Sequence, residues 1–330
     1  MRKKTTWLIV ILMLVIGYLM GPKPSKPEYS KEIPSVPEAA YLNEFISTKE
    51  SQHKIKPENE AVIVWCNDSS KQKTEYSIVY LHGFSASREE GAPIHREIAK
   101  QFGCNLYLSR LAEHGLDTIE PLRKLTADKY WESAKEALAI GKQLGHKVIL
   151  MGTSTGATNA LQLAANYPND VHALILLSPN IAINDPNAWL VNNPWGLQIA
   201  TLVQGSRYND SKDQRDIYKK YWYSHYRLEG VVALEEMLET SMTKETFSKI
   251  NQPTLMLYYY KDDIHQDSTV KVSAMREMFS QLGTAPSQKR EKAMPNTGDH
   301  VISSPIKSRD VEGVSREIEV FFKEIIGLKN

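Results

Sequence analysis

The chain has 330 residues, room for one large domain or two small ones, and 42% hydrophobic with 24% charged residues exclude disorder throughout. Its 40 Lys plus Arg balance 39 Asp plus Glu, so charge names no nucleic acid as partner. The balance is local: Arg2, Lys3 and Lys4 precede any acid, and residues 1–20 contain none, which leaves the remainder mildly acidic.

The cationic start leads into an apolar run, Trp7 to Met20, broken only by Gly17 and Tyr18. That pattern is an export signal. The run falls short of the ~20 residues of a comfortable membrane span, which favours a signal peptide. No A-x-A-like cleavage site follows it and no cysteine lies nearby to take a lipid, which favours an uncleaved anchor. A buried core helix is the third reading. Residues 1–20 are therefore expected to be a signal-anchor or signal peptide that meets the membrane through residues 5–20. The rest is expected outside the cytoplasm, periplasmic or extracellular, with a cleaved and secreted form as the alternative. Residues 21–57, with five prolines from Pro22 to Pro37, are expected to form a semi-rigid tether.

Regular alternation follows. Strands are expected over 61–66, 76–81, 105–111, 147–151 and 172–177, and helices over 91–102, 126–144 and 155–166. Near-continuous apolar strands alternating with helices indicate a mostly parallel sheet covered on both faces. From 180 to 251 the strands stop and aromatics become dense, among them Trp189, Trp195, Tyr208, Tyr218 and Trp222. This stretch is expected to be a helical insertion. Strands over 254–260 and 289–294 and helices over 269–282 and 311–326 close the chain, so the core is expected to span 58–179 and 252–330.

The chemistry gathers at Gly152-Thr153-Ser154-Thr155-Gly156. This G-x-S-x-G follows a buried strand and opens a helix, the setting of a nucleophile elbow, in which the tight turn needs small residues two places either side of the serine. A serine hydroxyl is a weak nucleophile and requires a base held by an acid. His300, in the loop after the last strand, gives the chain order Ser…Asp…His. The acid is expected after the strand at 254–260, where Asp262, Asp263 and Asp267 stand; Asp262 comes first and is preferred, with Asp263 second. Two backbone N–H groups must meet the developing oxyanion. Thr155, after the nucleophile, and Phe84, after the His82-Gly83 turn, are the expected donors. There is no H-E-x-x-H, no clustered Cys/His spacing and no phosphate-binding glycine motif, so no metal or cofactor is implied.

These pieces resemble the α/β-hydrolase superfamily over residues 61–326, and within it the group of monoacylglycerol lipases, bacterial carboxylesterases and serine aminopeptidases. The resemblance is carried by Tyr80-Leu81-His82-Gly83-Phe84, Arg110 to Gly115, Tyr130-Trp131, Gly152 to Gly156, Leu257 to Asp263 and Gly298-Asp299-His300. Departures are Thr155, Glu113 before His114, and Tyr259-Tyr260 before the acids. The resemblance implies an α/β fold with a mostly parallel, eight-stranded-type sheet, and makes 180–251 a helical lid. It also implies a serine hydrolase of carboxylic esters, acyl esters or glycerides, working through an acyl-enzyme on Ser154 on a small-molecule substrate. Amide or peptide hydrolysis by the same residues is the first alternative; a non-catalytic binding protein on the same scaffold is the second. Finally, it sets the end of the 61–66 strand beside the start of 105–111, which makes a disulfide between Cys66 and Cys104 possible.

Overall fold

The computed structural model describes residues 2–329, except the side chains of Arg2, Lys3 and Thr5. In chain order it has α1 (Arg2–Leu19), α2 (Leu42–Glu50), β1 (Val62–Val64), β2 (Thr74–Leu81), α3 (Ile94–Gln101), β3 (Asn105–Leu108), α4 (Ala127–Leu144), β4 (Gly145–Thr153), α5 (Thr155–Asn166) and β5 (Val171–Leu177). There follow α6 (Gly196–Gln204), β6 (Tyr208–Asp210), α7 (Asp216–Tyr221), β7 (His225–Arg227), α8 (Leu228–Ser241), α9 (Lys244–Ser248), β8 (Thr254–Tyr258), α10 (Val272–Gln281), β9 (Lys289–Ala293) and α11 (Val311–Phe321).

Seven strands form one sheet in the order β1-β3-β2-β4-β5-β8-β9; β1 runs antiparallel to β3 and every other pairing is parallel. The central strands are apolar on both sides because both faces are covered. Ile78 and Tyr80 of β2 join a core with Ile94 and Ile98 of α3 and Val314, Ile318 and Phe321 of α11. Val79 and Leu81, one residue out of step, join the opposite core with Trp131 and Leu138 of α4 and Ala157, Ala160 and Leu161 of α5. The sheet has one strand fewer than the eight-stranded pattern. Ahead of Val62 the chain forms α2, whose Leu42 and Ile46 are buried in the second core.

The insertion between β5 and β8 is not purely helical. Besides α6 to α9 it holds an antiparallel ribbon of β6 and β7, pairing Tyr208 with Arg227 and Asp210 with His225. Each ribbon strand has three residues, too short for alternation to reveal, and α7 separates them in sequence. Tyr208 stacks on His225 with ring centroids 4.2 Å apart.

One expectation about the N-terminal region needs correction. No helix among the described residues is long and apolar enough to cross a membrane. The first turn of α1 is polar, which leaves only Trp7–Leu19 for the apolar run, and a transmembrane anchor is not supported. The end of α1 is held at the insertion: the Trp195 indole donates to Gly17 O at 3.0 Å and Trp195 N to Pro22 O at 2.9 Å. The proline-rich segment lies against the domain. Its middle lies along α4, where Trp131 Nε1 donates to Ser30 O at 2.7 Å and the Tyr29 ring meets the Trp131 ring edge-on. Lys135 of α4 is fully buried, and its ammonium donates to Glu32 O at 2.7 Å and to Ser30 Oγ, with Glu132 at 3.0 Å. A buried ammonium without partners costs several kcal/mol, so this strap completes the fold of α4.

The cysteines also depart from expectation. The β1–β3 register, Val64 opposite Leu106, would bring Cys66 to Cys104 if the ladder continued. It ends at Val64, and the Asn105 side chain accepts from Cys66 N at 2.8 Å instead. Both cysteines are free thiols, Cys66 exposed and Cys104 buried, and no disulfide joins them.

Deleting residues 2–37 should uncover Lys135 and Trp131 and lower the thermal midpoint by ~4 °C or more in calorimetry. An unchanged midpoint would show that the strap contributes nothing.

Candidate active site

Ser154 stands between β4 and α5 with φ 54° and ψ −119°, a conformation that costs a non-glycine residue about 1–3 kcal/mol. Its surroundings hold it there. Ser154 N donates to Leu177 O at 2.9 Å, and Ser154 O accepts from Ala157 N at 3.0 Å and Asn180 N at 3.1 Å. The small residues around it are steric requirements. A Cβ on Gly152 would lie 2.5 Å from Ala157 N, and one on Gly156 would lie 1.9 Å from Leu81 O. The start of α5 therefore rests directly on the end of β2, which brings the elbow to the loop that follows β2.

That loop is fixed by two buried imidazoles. His82 Nε2 accepts from Leu111 N at 3.0 Å, so its proton is on Nδ1, which donates to Gly83 O at 2.9 Å. His114 Nε2 accepts from Ser85 N at 3.0 Å and lies 3.0 Å from the Tyr130 hydroxyl, while its Nδ1 donates to Ala112 O at 2.8 Å. Burial pushes His82 down to about 4 and His114 well below its ordinary value, so both stay neutral and keep these roles. With Gly83 O turned toward His82, the next N–H, that of Phe84, is turned away from it, since the two groups oppose each other across one planar peptide. Among the described residues neither Phe84 N nor Thr155 N donates to a protein acceptor.

His300 is paired with Asp267, not with Asp262. His300 Nδ1 donates to Asp267 Oδ2 at 2.6 Å, which leaves Nε2 as the other ring nitrogen. Asp267 is 1% exposed; its second oxygen accepts from Thr269 N at 2.8 Å and Val270 N at 3.1 Å. Asp262 is exposed and closes a local turn, its Oδ1 accepting from Ile264 N at 3.0 Å and His265 N at 2.8 Å. Asp263, the second choice, accepts from the Tyr260 hydroxyl at 2.8 Å. The physical reason lies in the backbone. β8 ends at Tyr258, and a bridge between Tyr260 and Gln266 pinches 261–265 into an outward loop. The chain returns to the sheet edge only at Asp267, so the first acid in sequence is not the first acid in space. Burial opposes charge on His300, but Asp267, Glu90 and Asp299 together outweigh it and raise the imidazole above its ordinary value of 6.5.

These groups share one cavity of about 520 Å³, lined by Phe84, Ser154 and His300. Its walls are mixed: Ile183, Trp222, Tyr226 and Leu234 are apolar or aromatic, while Glu90, Asn180, Asn209 and Lys307 are polar or charged. Glu90 was not singled out by sequence, because it sits in the charged run Arg88-Glu89-Glu90, which reads as a solvated helix start. It is 2% exposed.

The model of the serine aminopeptidase S33 family of hydrolases matches residues 114–297. A lipase, Lipase 1 of Psychrobacter immobilis, is 25% identical over 59% of this chain and 65% of its own. The human serine hydrolase BPHL is 21% identical over 44% of this chain and 49% of its own. The chain thus spans about half to two thirds of the length of these relatives. Among solved structures, one from work on the metagenome-derived lipolytic enzymes LipS and LipT superposes with a TM-score of 0.65 at 14% identity, over 82% of this chain and 99% of the other. At that identity the likeness is one of fold.

The pairing of His300 makes a direct prediction. In Asp267→Asn the His300 pKa, followed by NMR, should fall, because a carboxylate that favours the imidazolium has gone. In Asp262→Asn it should stay put; the reverse pattern would contradict the geometry. Gly156→Val should also destabilise the chain by about 3 kcal/mol or more in denaturant unfolding, because backbone on β2 cannot yield to the new side chain.

Proposed function

The chain belongs to the serine aminopeptidase S33 family of hydrolases, and from that premise we propose that it is a serine hydrolase of carboxylic esters acting through an acyl-enzyme on Ser154. One observation carries the reading: Ser154, the His300–Asp267 pair and the Phe84 backbone meet at a single cavity.

In the proposed reaction Ser154 Oγ attacks the ester carbonyl while His300 Nε2 takes its proton. Asp267 fixes the imidazole through Nδ1 and favours its charged form. The Phe84 and Thr155 N–H groups receive the negative charge of the tetrahedral intermediate, a contribution of roughly 3–4 kcal/mol per donor in comparable sites. His300 then returns the proton to the leaving alcohol. Water repeats the sequence: His300 takes its proton, the acyl group leaves as the acid, and Ser154 is regenerated.

Lipase and esterase relatives support esters as the substrate class. The cavity's size and mixed walls favour a compact acyl group with polar substituents over a long, purely apolar chain. Residues 180–251 act in this reading as a lid, since Tyr218, Trp222 and Tyr226 of the insertion wall the cavity. The cationic, acid-free start and its apolar run support placing the catalytic domain outside the cytoplasm; fractionation of cells that express the full chain tests this, and activity confined to the cytosol would refute it.

Turnover of p-nitrophenyl esters of graded chain length tests the activity. Ser154→Ala should lose about 10³-fold or more in kcat with the fold retained. In the wild type kcat/KM should rise with pH as His300 loses its proton, and because that group is held above its ordinary 6.5 the half-maximum should lie above pH 6.5. A profile flat down to pH 5 would exclude His300 as the base.

A further inference from the structure

Glu90 has no place in the mechanism above, yet it faces the nucleophile. A Cβ on Gly83 would lie 2.9 Å from Glu90 Oε1 and 3.1 Å from Ser154 Cβ, so the two side chains confront each other across the Cα of Gly83. Glu90 Oε2 accepts from Gly83 N at 2.6 Å and lies 3.3 Å from the Tyr80 hydroxyl. That hydroxyl is in turn 3.0 Å from Thr153 Oγ1, next to the nucleophile. Trp222 of the insertion lines the same cavity as Glu90. On the histidine side, Ser303 Oγ donates to Glu90 O at 2.9 Å, and Glu90 and His300 line the same cavity.

We propose that Glu90 is a positioning residue of this site, the common anchor of the oxyanion loop, the nucleophile elbow and the histidine loop, and that its carboxylate is the second anion, after Asp267, to act on His300. The inference rests on the ester-cleaving reading of the site. The anchoring role follows from the partners. With Gly83 N taken by Glu90 and Gly83 O by His82 and Ala86 N, both peptides of the turn are held, and with them the direction of the Phe84 N–H. A leucine in place of Glu90 would leave Gly83 N buried without an acceptor and free the turn.

The electrostatic role follows from where the charge lies. Around Glu90 stand Tyr80 from β2, Trp222 from the insertion and His300 from the last loop; His300 is in turn paired with Asp267 and acted on by Asp299, which pairs with Lys307. On its own segment, Arg88 and Glu89 pair with each other, and burial pushes the neighbouring His95 down to about 3 and keeps it neutral. Burial pushes the Glu90 carboxyl up to about 7, with the Gly83 N–H and then His300 opposing the rise. Across the cavity they share, the ionised Glu90 carboxylate favours the proton on the His300 imidazole. Removing only the charge should release the proton at lower pH.

The test is the second-order rate of fluorophosphonate labelling of Ser154 between pH 5 and 9, in wild type, Glu90→Gln and Glu90→Leu, with the thermal midpoint of each. Glu90→Gln keeps the shape and an acceptor for Gly83 N, and its acid limb should move to lower pH. Glu90→Leu should label at least tenfold more slowly at every pH. If instead Glu90→Gln follows the wild-type limb, Glu90 does not act on His300. If folded Glu90→Leu labels at the wild-type rate, it does not position the loop. A folded wild type that takes no label at any pH would overturn the hydrolase reading itself, and the role of Glu90 with it.

Discussion

The site depends on one close approach, the start of α5 against the end of β2. Gly156 has backbone of Leu81 where its side chain would be, and Gly152 has backbone of α5 in the same position. Only with both positions bare can β4 turn so sharply into α5 that Ser154 takes a left-handed φ and projects from the turn. The same approach carries the loop after β2 to the serine, so that Phe84 and Thr155 can serve one oxyanion. The free energy lost to the strained serine is recovered from the packing of α5, whose Ala157, Ala160 and Leu161 are fully buried against the sheet.

Around this contact the molecule uses buried polar groups as struts. His82 and His114 are kept neutral by burial, and each is locked into one tautomer by accepting a backbone N–H at Nε2. Together they fix the peptide planes of residues 83–85. His300, partly exposed at the cavity, is pushed the other way by Asp267, Glu90 and Asp299. The same residue type is thus held neutral or held toward its charged form according to whether backbone or carboxylate faces it. Glu90 extends this scheme through its hydrogen bonds to Gly83 N, Tyr80 and Ser303, and the proposed role separates its charge from those bonds.

What could be read from sequence was what local pattern dictates. The strand–turn–helix setting of Gly152 to Gly156 has a single steric meaning, and the apolar strands and the helices between them announced a parallel sheet. Asp267 stood among the three candidate acids, but the choice of it over Asp262 was not legible, because its place depends on the Tyr260–Gln266 bridge that throws 261–265 outward, and a residue count cannot see that pinch. Glu90 was hidden in a run of charges that would ordinarily be solvated. The ribbon of β6 and β7 was too short to show alternation, and the docking of Ser30 and Glu32 on Lys135 is a long-range contact with no local signature. Cys66 and Cys104 show the converse: register brings them toward each other, and the side chain of Asn105 closes the end of the ladder instead.

The central claim is that Ser154 is a nucleophile activated by the pair His300–Asp267. Intact-mass analysis of the folded chain after exposure to a fluorophosphonate, followed by peptide mapping, tests it directly. The account predicts a single adduct, on the peptide containing Ser154, that is lost when His300 is replaced by alanine. An adduct on another residue, or one at Ser154 that forms equally fast without His300, would contradict it.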